Sequence, residues 1–346
     1  MKLIQNIFVI AATSMLMLGC KQKTLDIYEP YKDVTIIYGL LNPADSIQYV
    51  KIYKGFLGTG DANDYAQIPD SIYYPTQDIR VSLVSYKLTS TGLKDSLETI
   101  VLKDTLLPTM SDNGTFTAKK NLIYYTKKAI SGNSRVYKLV MKNLKTNKEV
   151  IGETNMIDLG ASNTNFVPKA RIGGTQLFMF DELGKSRNLS IAFSRGANGN
   201  LFNLVMRINY IEYKQFNRAD SVLKYIDYPF DQTKSSENAI TFSITGSQIL
   251  NFIKSRYSTT FKDKTYSRTI RNASFYLSVA AQDLTTYMEL NSPRASYLLD
   301  KPIYTNITNG YGIFANRYSS KSVDYGFETK TIKTFQDSLT GANIIR

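Results

Sequence analysis

The 346-residue chain contains no histidine and no tryptophan, and it has a single cysteine. The missing imidazole removes histidine-based triads, histidine general bases and histidine metal ligands together. One thiol forms no disulfide within the chain and no thiolate cage for zinc. Long apolar runs are scarce too. The longest, residues 7–18, is interrupted by Thr13 and Ser14 and falls short of the roughly 20 residues that a membrane-spanning helix needs. Acids are outnumbered, 29 against 42 Lys and Arg, which gives a net charge of +13. The basic residues are scattered, with no run of five or six and no nucleic-acid module. The charge therefore implies a solvated basic surface facing anionic membrane or polysaccharide, with no nucleic-acid partner.

What is present begins with the one cysteine. Lys2, the apolar run, the small residue Gly19 and then Cys20 follow the order of an export signal. The stretch Met17-Leu18-Gly19-Cys20 resembles the bacterial lipobox, in which the thiol is alkylated and becomes the new N-terminus. This reading makes residues 1–19 a lipoprotein signal peptide, Cys20 the lipidation site and 20–29 a tether. One acyl chain holds a protein to a bilayer only marginally, whereas several together anchor it durably. After Cys20 the chain reads Lys21-Gln22-Lys23-Thr24-Leu25-Asp26. Lys21 stands where an Asp would retain a lipoprotein at the inner membrane, which points to the outer membrane.

The rest of the sequence is rich in β-formers, with 25 Tyr and 17 Phe. Val50 and Ile52 alternate with Ile47, Tyr49, Lys51 and Tyr53. Ile79, Val81 and Leu83 share a face, and Tyr137, Leu139 and Met141 line a hairpin turning near Thr146-Asn147. Strands at this spacing predict a mainly β fold with an immunoglobulin-like sandwich over 30–158. A turn-rich junction over 159–174 leads to a second β-rich domain, 175–346. There, residues 188–214 read as a hairpin turning at Gly196-Ala197-Asn198-Gly199. Two short helices are expected, near 246–257 with a stripe of Ile249, Phe252 and Ile253, and near 282–291 with Leu284, Tyr287 and Met288 together.

Motifs for chemistry are few. Asp61, Asn63 and Asp64 lie close together, but Ile72 stands where a calcium loop needs its bidentate Glu, so no metal is expected there. No two carboxylates stand out as an acid/base pair, and no cofactor motif is present. One triplet recurs, Asp then Ser or Thr then an aliphatic residue. It marks Ser46, Ser71, Ser96, Thr105, Ser221 and Ser338 and resembles the O-glycosylation sequon of exported Bacteroidetes proteins. Asp-Ser is also a favoured turn pair, and turns entering strands are the alternative explanation.

Three landmarks, "VTIIYGLLNPADSIQYVKIYKGF" after the signal, "VYKLVMKNLKTNKEVIGETNMI" and "PIYTNITNGYGIFANRYSS", together resemble an uncharacterised family of Bacteroidetes outer-membrane lipoproteins. Its members often occur with TonB-dependent receptors. The resemblance implies a lipid-anchored envelope protein, with the outer face of the outer membrane favoured over the periplasmic one, and it brings no catalytic residues. The expected function is a non-catalytic binding or accessory subunit, in contact with the bilayer through Cys20, with a TonB-dependent receptor, and with a glycan or other small ligand. The alternatives are a carboxylate-dependent glycan hydrolase and a structural or adhesive envelope protein.

Intact mass spectrometry of the protein from its native host tests both modifications. The mass is expected to exceed the polypeptide beginning at Cys20 by its acyl chains and by O-glycans on one or more of the six hydroxyls. A mass equal to the lipidated polypeptide alone overturns the glycan reading. Cys20→Ala is expected to leave an unprocessed or soluble chain, and finding that variant at mature size in the membrane fraction overturns the anchor.

Overall fold

The computed structural model describes residues 34–55, 64, 66, 68–89, 92, 94–108, 121–158, 167–170, 174–214, 217–260, 263, 265–292 and 303–345. Cys20, the tether, Asp61 and Asn63 lie outside the described residues, and Asp64 is exposed.

The first part of the chain forms β1 (Val34–Leu41), β2 (Gln48–Gly55), the one-turn helix α1 (Pro69–Ile72), β3 (Ile79–Leu88), β4 (Lys94–Val101), β5 (Lys103–Leu107), β6 (Asn121–Thr126), β7 (Arg135–Asn143) and β8 (Glu149–Asn155). One antiparallel sheet runs β1-β2-β6-β5 and the other β8-β7-β3-β4. This is the strand distribution of an immunoglobulin sandwich, A-B-E-D against G-F-C with an added strand beside C. The alternation read from sequence fills its core. Ile37, Val50 and Ile52 from one sheet meet Val81, Leu83, Leu139, Met141 and Val150 from the other, each at most 2 % exposed, and each such burial stabilises by ~1.5–3 kcal/mol. Near the start of β7 the Tyr137 hydroxyl accepts the Ser131 backbone N–H at 3.0 Å. That is the tyrosine corner of the fold, and Leu139, fully buried two residues on, stands where antibody domains place a cysteine. The β7–β8 hairpin turns as expected, with Asn147 at φ 58°.

The remainder forms β9 (Lys169–Ala170), β10 (Gln176–Leu177), β11 (Asn188–Ser194), β12 (Gly199–Lys214), β13 (Asn217–Pro229), β14 (Thr233–Lys234), β15 (Ala239–Thr245), α2 (Gly246–Thr260), β16 (Tyr266–Ala281), α3 (Gln282–Leu290), β17 (Ile307–Thr308), β18 (Tyr311–Lys321), β19 (Tyr325–Phe327), α4 (Thr329–Ser338) and β20 (Ile344–Ile345). β12 and β16 are the long central strands, with β13 flanking β12, while β18, β19 and β20 pair with successive stretches of β16. A second, small sheet runs β15-β11-β9.

The hairpin expected over 188–214 does not exist. β11 pairs with β15 and β9, and β12 pairs with β13 and β16. The turn chemistry was real, since Gly196 and Asn198 have φ of 66° and 65°, but it carries the chain from one sheet to the other. Both strands bury alternate residues because they face one shared core, in which Phe193 and Phe202 meet at 5.8 Å. α2 starts as predicted. Gln248 Oε1 accepts the Thr245 N–H at 2.8 Å while Thr245 Oγ1 accepts the Gln248 N–H at 3.2 Å, a reciprocal capping box, and Ile249 and Ile253 are buried. In α3 the buried residue is Thr285, whereas Met288 is exposed. Among the described residues of this part of the chain there is a third helix, α4, beyond the two expected. Its cap is Glu328, whose carboxylate accepts the Lys330 and Thr331 N–H groups, a residue outside the usual capping set.

The C-terminal strands return to the sandwich. β17 pairs with β8. The first half of β18 lies parallel to β1, from Ile36↔Tyr311 to Leu41↔Asn316, and its second half antiparallel to β16, from Ala280↔Arg317 to Tyr276↔Lys321. The Thr-Asn-Ile and Asn-Gly-Tyr-Gly stretches turn this corner. Asn306 bonds Phe314 N and O and Glu153 O, Asn309 sits at φ 61°, and Gly312 at φ 104° has no room for a Cβ, which would fall 2.0 Å from Ile37 O. Asn316, fully buried, accepts the Ile157 N–H at 2.9 Å and donates to Thr154 Oγ1 at 2.7 Å and Asn155 O at 2.8 Å. Asn316→Ala strands a buried donor and a buried acceptor, so we expect a loss of about 3 kcal/mol in urea unfolding. A change below about 1 kcal/mol would show that the clamp is replaceable by water.

Candidate ligand-binding groove

The outward face of β12 carries Arg207, Asn209 and Ile211 in alternation with the buried Met206, Ile208 and Tyr210. Sheet register sets their neighbours. Arg207 lies opposite Asp227 on β13 and Ser274 on β16, Asn209 between Tyr225 and Asn272, and Ile211 beside Leu223. Tyr276 of β16 continues the face to Lys321 of β18. Together with Arg271 and Asp324 these side chains line a groove of about 700 Å³, within the size range of small-molecule sites.

Its polar groups are held in place. Arg207 grips Asp227 through two parallel bonds, Nε to Oδ1 and a terminal nitrogen to Oδ2, both 2.8 Å. The guanidinium lies 3.8 Å from the centre of the Tyr225 ring and 4.8 Å from that of Tyr276. The bonds to Asp227 push its pKa further above an already high value. Lys321 pairs with Asp324 at 3.0 Å and sits over Tyr276. Asp324 is held below the ordinary carboxylate range by the Ser274 hydroxyl, which donates at 2.6 Å, and by Lys321. Asn209 Nδ2 donates to Asn272 Oδ1 at 2.8 Å. The amide pair thus keeps a carbonyl oxygen on Asn209 and an NH2 on Asn272 for other partners.

Chemically, the groove can hold a hydroxyl-rich or charged molecule against fixed aromatic and amide groups. Asp324 is the one carboxylate among the described residues lining it, and a general acid needs a raised pKa, not a lowered one. Among the described residues no cluster of three or more Asp, Glu, His or Cys could hold a metal ion.

A second aromatic surface lies on the outer face of β1 and β2. Tyr53 stacks on Tyr73 at 5.7 Å, meets Tyr38 edge-on at 6.4 Å and takes Lys51 at 4.9 Å. These rings are largely occupied by one another, although Tyr38 and Tyr49 remain about two-fifths exposed (42 % and 41 %).

None of the groove residues stood out in the sequence. The six modification candidates do not enter the groove, and none is buried. Ser46 lies exposed in the β1–β2 turn, closed by the Asp45 N–H to Asn42 O. Ser96 and Ser221 are exposed on β4 and β13, Thr105 is half-buried on β5, Ser71 sits in α1, and Ser338 is the last residue of α4. Backbone turn bonds reach two of the triplets, Ser46 through Asp45 and Ser71, whose N–H donates to Ile68 O at 3.0 Å, while Ser96, Thr105 and Ser221 lie on strands and Ser338 ends a helix. Compared with known families and curated proteins, the chain matches no family model and no curated sequence.

Proposed function

We propose that the chain is a lipid-anchored, non-catalytic binding subunit of a bacterial outer membrane, tethered through Cys20, acting beside a TonB-dependent receptor and presenting its groove to a saccharide or similar polar ligand. The observation that carries the binding reading is the state of the groove's charges. Asp324, the lining carboxylate, is tied to Lys321, and Arg207 is tied to Asp227 beside the groove and flanked by Tyr225 and Tyr276. A site built this way recognises without transferring protons, which favours it over the carboxylate-dependent hydrolase. The half-exposed tyrosines of β1 and β2 lend the adhesive alternative less support, because their faces are mostly consumed internally.

Incubation of the full-length chain in detergent with envelope or dietary polysaccharide tests the reading through two measurements. Wild type is expected to retain polysaccharide on an affinity gel, and Tyr225→Ala with Asn272→Ala to lose most of that retention. The count of reducing ends is expected to stay constant. A steady rise in reducing ends with wild type overturns the non-catalytic reading, and equal retention by the double variant moves the site elsewhere. Protease treatment of intact cells addresses the location. Digestion of the chain is expected, whereas complete protection beside a digested surface lipoprotein rules the outer face out.

A further inference from the structure

One lining side chain is unlike the others. The pairing of β12 with β16 passes from Asn209↔Asn272 directly to Tyr210↔Ile270, so Arg271 has no cross-strand partner. It is the extra residue of a β-bulge, a device that re-aims a side chain without interrupting the sheet. Arg271 is exposed and lines the groove. Arg207 is spent on Asp227 and Lys321 on Asp324. Among the described residues Arg271 has no hydrogen bond or ion pair, which leaves the groove one uncommitted positive charge.

We infer that the groove takes an acidic oligosaccharide, a chain of uronic-acid type whose carboxylate is received by Arg271; this rests on the binding reading above. Four features select that chemistry. The guanidinium fork matches a carboxylate through two parallel bonds. Beside it, the Asn209–Asn272 pair presents one acceptor and one donor, the complement of neighbouring ring hydroxyls. Leu223 and Tyr225, 67 % and 55 % exposed, form an apolar flank for the C–H face of a sugar ring. The volume of about 700 Å³ falls within the range of small-molecule sites. A nucleotide fits less well, because its phosphates crowd several charges onto one end against a single uncommitted guanidinium, whereas a uronate chain carries one carboxylate per ring, so that Arg271 receives one and the others stay in solvent. A neutral saccharide would offer Arg271 only hydroxyl oxygens, weaker acceptors than a carboxylate.

The test is calorimetric titration of the full-length chain in detergent with trimers of galacturonate, mannuronate and guluronate, each beside its methyl ester. The ester keeps every hydroxyl and removes the charge. At least one acid trimer is expected to bind wild type roughly tenfold or more tighter than its ester, as a charge-assisted pair implies. Arg271→Ala is expected to erase that preference, weakening the acid far more than the ester, and Arg271→Lys to restore part of it. Raising the salt concentration is expected to weaken the acid and spare the ester. Acid and ester binding equally, or a preference that survives in Arg271→Ala, overturns the acidic assignment while leaving a saccharide groove in place. Absence of binding by all six trimers overturns the inference. If polysaccharide retention is also absent, the binding reading falls with it.

Discussion

The hydrogen-bond continuity of β18 is the constraint on which the rest depends. A single strand of 11 residues finishes a sheet of the sandwich with its first half and extends the central sheet of the second part with its other half. Without β18 and β17, β1 and β8 would present unpaired strand edges, which are templates for unwanted pairing. Strand pairing alone would tolerate slippage, and the side chains of the strand remove that freedom. Gly312 fits only because it has no Cβ, Asn306 fixes the corner, and Asn316 ties the strand to the end of β8. The sandwich is therefore completed by residues some 270 positions away from β1 in sequence. Such non-local pairing delays folding, because closure of a long loop must precede the contacts that reward it.

The same strand sets the groove. Lys321, at its end, sits opposite Tyr276, and the polypeptide then turns to bring Asp324 under Ser274. At the far end of the groove's strands, Arg268 is 1 % exposed, and its guanidinium meets Glu212 Oε2 at 2.8 Å, Ala342 O at 3.0 Å and Asp263 O at 3.0 Å. Glu212 also receives Lys224 of β13. A buried pair of this kind adds little net stability against an apolar substitute, but removal of one partner is costly. Here it joins β12, β13, β16 and the C-terminal segment in one register, so the outward face between Arg268 and Lys321 keeps its spacing.

Much of the sandwich was legible because each strand has one wet face. Val50 and Ile52, or Leu139 and Met141, announce their side by period two, and Asn147 announces its turn. Pairing partners were less legible. Residues 188–214 show two alternating runs around a good turn, and that pattern is the same whether the runs bond to each other or face each other across a core. α4 was missed because its Thr-rich sequence favours strands and its cap is a glutamate. The groove was invisible for a different reason. Arg207, Asn209, Tyr225, Arg271 and Asn272 come from three strands, and each alone reads as an ordinary solvent-facing residue. The signal closest to a clue is the break in alternation at "RTIRNASF", where the bulge falls.

The absence of histidine gains a physical meaning once the groove is in view. Its charged groups are arginine, lysine and one carboxylate held below its ordinary range, and it has no imidazole, the side chain whose ordinary pKa lies nearest neutrality. Affinity for a charged ligand would then respond to ionic strength far more than to pH, since exposed charge pairs are screened within about 10 Å at moderate salt. If the face binds a charged ligand outside the cell, as proposed, it meets salt and acidity it cannot control. A lining without imidazole would make such recognition depend little on the second of these, and the aromatic and amide contacts, which salt does not screen, would preserve part of it against the first.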